Sequence, residues 1–181
     1  MSYQEFLAEI LKARETDEPV DALRLQEYIA ENNPRTRELL FSLFSDPATW
    51  KFAKNVSVDD REAFLLRELR FALVDKPKPP ALDTGYALRE ITNWLGRLFA
   101  EMQQGKNPKA SSRQRETASS LIRILEDAAS TGNTKINDLI VTAVLEHIFA
   151  SNEVAVEMFR GWREDKVLKP LFDEGLSIAC G

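Results

Sequence analysis

The stretch Ile136-Asn137-Asp138-Leu139-Ile140-Val141-Thr142-Ala143-Val144-Leu145-Glu146-His147-Ile148-Phe149 carries the broadest apolar pattern in the chain. At about 100° per residue, Ile136, Leu139, Ile140, Ala143, Val144, His147 and Ile148 share one helical face, and Val141, Leu145 and Phe149 widen the arc. Beyond Asn137 in the first turn, Asp138, Thr142 and Glu146 leave a narrow polar edge. A helix apolar over most of its circumference belongs at the centre of a core or under a second subunit. The expectation is a central helix, and a homodimer is compatible with it. His147, the sole histidine, projects from the middle of the arc. That position predicts a buried polar site: a neutral histidine hydrogen-bonded to a neighbour, because burial disfavours its charged form.

Outward from this helix the same period recurs. Gly132 is placed to end the preceding helix in the left-handed conformation. On that preceding helix Ser111 and Gln114 form a capping box leading to Leu121, Ile122, Leu125 and Ala128. Before it, Thr84 or Asp83 caps a long helix with Leu88, Ile91, Trp94, Leu95, Leu98, Phe99 and Met102 on one side. Ser2 with Glu5 opens the first helix, Pro19 the second, Pro34 the third, Asp46-Pro47 a short fourth, and Ser57 with Asp60 the fifth. On the C-terminal side Val154, Met158, Phe159 and Trp162 mark a last substantial helix, after which Pro170 and Gly175 are expected to break up the tail. No segment shows strand alternation or hairpin turns. The fold class is therefore all-α: about eight or nine helices packed as a single bundle over residues 1–181.

Two connectors interrupt the pattern. Asp75-Lys76-Pro77-Lys78-Pro79-Pro80 cannot be helical, since proline lacks the amide donor, and it offers a subdivision into 1–75 and 82–181. Gln103 to Ala110 reads as a second, polar connector. A weak internal echo lays Glu27–Leu40 over Glu146–Phe159, with Asn33 on Asn152 and Glu38 on Glu157. Both are helix-turn-helix units, the grammar of HEAT-like pairs as well as of plain bundles.

The chain has 181 residues, of which 44% are hydrophobic and 29% charged, with a net charge of −5. These values suit a globular protein with its own core. One cysteine, Cys180, excludes an intrachain disulfide and a four-thiolate zinc site. The beginning Met1-Ser2-Tyr3-Gln4-Glu5-Phe6 reads as a helix start and not as a signal peptide, so a cytoplasmic setting is expected. The sequon Asn55-Val56-Ser57 reads as chance there. Leu139–Ala150 is too short and too polar to span about 30 Å of hydrocarbon, and no membrane association is expected.

The chemistry-bearing patterns are mostly missing. A single histidine removes His-rich metal sites, and the seven scattered glycines form no phosphate-cradling loop or dinucleotide fingerprint. Asp59-Asp60-x-Glu62 sits at a helix start, where acidic groups favour the positive end of the dipole. No cofactor and no metal is expected. From Gln103 to Arg115 the chain has no acidic residue while Lys106, Lys109, Arg113 and Arg115 cluster, a basic connector on an acidic body and a candidate electrostatic contact for an acidic protein or a phosphate. It lacks the aromatic residues that stack bases, and the negative net charge opposes general nucleic-acid binding. The reading that follows is a non-enzymatic acidic helical module that binds a protein partner, most plausibly a basic one, as immunity and antitoxin-type inhibitors do. The alternative is a helical enzyme or small-ligand-binding protein with a pocket near His147, Trp94 and Trp162.

Overall fold

The computed structural model describes residues 2–30, 32–75, 81–105 and 108–180, without the side chains of 108–111 and 151. Among the described residues every regular element is helical: α1 (Tyr3–Thr16), α2 (Ala22–Ala30), α3 (Pro34–Ser45), α4 (Val58–Arg70), α5 (Thr84–Gln104), α6 (Pro108–Ala129), α7 (Thr134–Ile140), α8 (Glu146–Ser151), α9 (Glu153–Met158) and α10 (Leu168–Cys180). The chain gathers into two compact units, Met1–Asp83 and Thr84–Gly181. Of the proline-rich connector only Asp75 lies within the described residues.

In the first unit the caps act as the sequence implies. Ser2 and Glu5 close a full capping box on α1, Asn33 with Pro34 opens α3, and the Ser57 hydroxyl accepts from the Asp60 amide to start α4. The start of α2 differs from expectation. Pro19 and Val20 stay outside the helix, the Val20 amide donating to the Phe52 carbonyl at 2.9 Å, and Asp21 takes the capping role by accepting from the Leu23 and Arg24 amides. The helix thereby starts at Ala22 and buries Leu25 and Tyr28, while Leu23 lies 75% exposed. Pro47–Ala53 is a run of 3-10 turns. Phe6, Tyr28, Phe41, Phe44 and Leu69 fill the core, with Phe44 edge-on to Phe64 at 5.4 Å.

In the second unit the predicted helix around Ile136–Phe149 forms, but not as one regular helix. Val141–Leu145 is a π-turn, in which the Glu146 amide reaches back five residues to the Val141 carbonyl. Such a turn takes one residue more than an α-turn, so it delays the phase of everything after it by about one position. Ile148, 2% exposed, therefore takes the core position expected for His147, which points outward and is exposed. The expectation of a buried His147 was wrong for that reason. The irregular turn is held on two sides. The Thr92 hydroxyl of α5 lies 2.8 Å from the Ala143 carbonyl and 2.9 Å from that of Leu88, its one proton shared between them. Opposite, Gly175 of α10 comes so close that a Cβ placed there would sit 2.6 Å from Leu145 Cβ.

The C-terminal segment is also more ordered than expected. Asp165 accepts from the Val167 and Leu168 amides and so starts α10; Pro170 lies in its first turn, where amides have no partner within the helix. Gly175 serves close packing and does not break the helix. Phe149, Phe159, Trp162 and Phe172 form an aromatic cluster with ring centroids 5.0–5.6 Å apart along its contacts. Helix α6 begins at Pro108, three residues before the expected capping box, so the second connector is shorter than the sequence suggests. Gly105 and Gly132, with φ of +56° and +69°, adopt the left-handed conformation, as expected at Gly132.

The internal echo has a local explanation. Asn33 and Asn152 are both N-caps whose side chains accept from the next helix's first amides, and Asn133 does the same before α7. The same cap at the same place in each makes the two segments look alike.

Candidate functional site

Among the described residues, an open groove lies within the first unit, between α1 and α2. Helix α1 ends at Asp17, whose left-handed backbone (φ 56°) lets its amide return to the Ala13 carbonyl; an aspartate tolerates this conformation better than most residues. Lys51 pairs with the Asp17 carboxylate, and Asn55 Nδ2 donates to the Val20 carbonyl at 3.4 Å. The connecting segment is thereby pinned to 47–55, and an open groove of about 780 Å³ is left between the helices. A space of this size admits several side chains.

The charged part of the lining is acidic in balance. Glu9, Glu18, Asp21 and Glu27 face Lys12 and Arg24, with the exposed Leu23 among them. Arg24 Nε lies 3.3 Å from Glu9 Oε1 and its Nη1 3.5 Å from Glu27 Oε2. These two carboxylates, Glu27 first, hold the guanidinium more firmly in its charged form. The Tyr28 hydroxyl donates to Glu9 Oε1 at 3.4 Å; burial first, then the Glu9 charge, raises the phenol's pKa and keeps it a donor. The Tyr28 ring packs against Phe6 at 4.0 Å between centroids, which fixes Glu9 from beneath.

Sequence reading missed this groove. Its residues lie off the apolar stripes of two helices and come together only when the segment 17–21 turns the chain. The available signal was Leu23, which is out of phase with Leu25 and Tyr28.

A second polar arrangement is internal. Arg37 and Glu68, 4% and 1% exposed, pair through Nε at 3.0 Å and Nη2 at 2.5 Å to one carboxylate oxygen, while Arg67 takes the other at 3.1 Å. The Arg37 guanidinium also lies over the Phe71 ring at 5.2 Å. With a donor on each oxygen, the buried Glu68 carboxylate has both its acceptors satisfied.

The sequence-derived candidates are dispersed. Lys106 lies outside the described residues, and Lys109 is described by its backbone alone, in the first turn of α6. Arg113 is half-buried and Arg115 exposed, with Nη1 3.9 Å from the Met158 sulfur. Arg115 belongs with Ser119 and Arg123 to a shallow exposed face of α6. Of the residues grouped for a ligand pocket, His147 is exposed, Trp94 half-buried and Trp162 buried, its Nε1 donating to Glu126 at 2.9 Å. Among the described residues, no group of three His, Cys, Asp or Glu side chains is arranged to hold a metal, and no helix is long and apolar enough to cross a membrane. Comparison with protein-family profiles, with curated proteins and with solved structures finds no match to the chain.

Proposed function

We propose that this chain is a non-enzymatic protein-interaction module whose acidic groove between α1 and α2 docks a basic partner. One observation carries the reading: Leu23, 75% exposed, lies in a groove whose charged lining is four carboxylates, Glu9, Glu18, Asp21 and Glu27, against two cations, Lys12 and Arg24. An exposed apolar side chain in a groove with an excess of negative charge combines the two ingredients of a recognition surface, an anchor that gains by leaving water and a field that steers the partner in. A net charge of −5 extends that field over the molecule. Immunity and antitoxin-type inhibitors act in this way, blocking a basic target by occupying its surface. The lone cysteine and the acidic balance suit a cytoplasmic setting.

The test is affinity capture from the source cells with the full chain and with a Glu18→Lys/Glu27→Lys variant. Both glutamates are exposed, so the double change leaves the fold intact. A stoichiometric basic protein held by the native chain and lost by the variant is expected. No stoichiometric partner, or one retained equally by both, overturns the reading.

A further inference from the structure

Arg24 bridges the groove. Its guanidinium reaches Glu9 of α1 and Glu27 of α2 while its side chain remains 48% exposed, and Glu9 is 27% exposed. A guanidinium supplied by the chain itself thus already occupies the carboxylate seat, which establishes the chemistry the seat accepts: a planar cation with several donors. Glu9 is pre-positioned for that cation by the Tyr28 hydroxyl on the same oxygen. Leu23, one residue before Arg24, presents its side chain to solvent along the groove.

Resting on the reading of this groove as a docking site, we infer that Arg24 is an internal stand-in for a partner arginine. The occupant is an amphipathic helix of a partner protein that carries arginine beside leucine. Its guanidinium displaces Arg24 from Glu9 and Glu27, and its leucine covers Leu23. Exposed ion pairs are weak and exchange at small cost, so Arg24 does not close the groove. It sets a threshold: a segment that offers charge without the apolar contact gains no more from the carboxylates than Arg24 already does, and is rejected.

The experiment measures binding of a fluorescein-labelled amphipathic peptide of arginine and leucine to the full chain by anisotropy. Arg24→Gln vacates the seat, whereas Lys12→Gln removes the same charge from the same lining without vacating it. Arg24→Gln should bind the peptide about three- to tenfold more tightly, the gain expected from releasing one or two exposed ion pairs, and Lys12→Gln less than about twofold. Arg24→Lys, which keeps the charge but loses the planar fork, should fall between native and Arg24→Gln, and supplies the comparison should Arg24→Gln fold poorly. Equal gains for Arg24→Gln and Lys12→Gln, or none for Arg24→Gln and Arg24→Lys, overturn the stand-in. The docking reading is judged apart from it: peptide binding unaffected by Glu18→Lys/Glu27→Lys removes the groove as the site, while binding lost there with no gain from Arg24→Gln removes only the stand-in.

Discussion

Replacing Gly175 with alanine tests whether the close approach of α10 to the π-turn organises the second unit. The new Cβ would lie 2.6 Å from Leu145 Cβ and 3.2 Å from Leu145 Cδ1, whereas carbon atoms are comfortable at about 3.5–4.0 Å. Rotation about χ1 can move Cδ1 but not Cβ, so backbone must give way by about 1 Å. Overpacking of this kind costs about 1–3 kcal/mol, against a gain of up to about 1 kcal/mol for replacing glycine within a helix. Since a bond-fixed atom is in the way, the upper half of the cost applies and the net loss is about 1–2 kcal/mol. In a unit of this size that lowers Tm by about 4 °C or more. Gly96, inside α5, is the internal control, because a Cβ there meets nothing within 4 Å; Gly96→Ala should stabilise by about 0.5–1 kcal/mol. Urea and thermal unfolding followed by circular dichroism give both numbers. Gly175→Ala stabilising the protein as much as Gly96→Ala would refute the packing argument.

Three further outcomes follow from the geometry. Glu68→Ala, which strands buried Arg37, should cost about 3–5 kcal/mol in urea unfolding, while Arg37→Met/Glu68→Leu should cost clearly less; a loss below about 1 kcal/mol for the single change would contradict a buried pair. His147→Gln should shift stability by no more than about 0.5 kcal/mol and Ile148→Ala lower it by about 2–5 kcal/mol, whereas a regular helix, with both on the core face, predicts a loss from each; similar losses from both would count against the π-turn. The Ser2 amide, donating to Glu5 at 2.7 Å, leads the interactions that hold its carboxyl below the usual 4.5. The capping contribution is therefore complete above that value and lost as pH falls through the lower folded one. Protection of the first-turn amides of α1, relative to their intrinsic exchange rates, should fall over that acid range, and Glu5→Gln should abolish that change.

What the sequence could and could not convey divides along one physical line. Caps are local, so Ser2, Ser57 and Gly132, and the start of α3 at Pro34, were readable from a few neighbours. Apolar stripes were readable too, because 3.6-residue spacing needs no knowledge of the partner. Phase was not: the π-turn at Val141–Leu145 depends on Thr92 and Gly175, far away in sequence, and it moved His147 out of the core while Ile148 took the position expected for it. Glu68 left a trace that went unread. It stands four residues from both Phe64 and Ala72, within the buried stripe of α4, and a charge in such a stripe calls for a buried partner. The groove left almost none, since Glu9 and Glu27 acquire meaning only when the turn at Asp17 sets their helices side by side.

The central claim, that the α1–α2 groove receives a basic amphipathic partner, is tested most directly by titrating the isotope-labelled full chain with the arginine–leucine peptide and following backbone amide shifts. Saturable shifts concentrated at Glu9, Lys12, Leu23, Arg24 and Glu27, weakened by added salt, are the result predicted. Shifts centred on Arg115 and Arg123 of α6, or none that saturate, would contradict it.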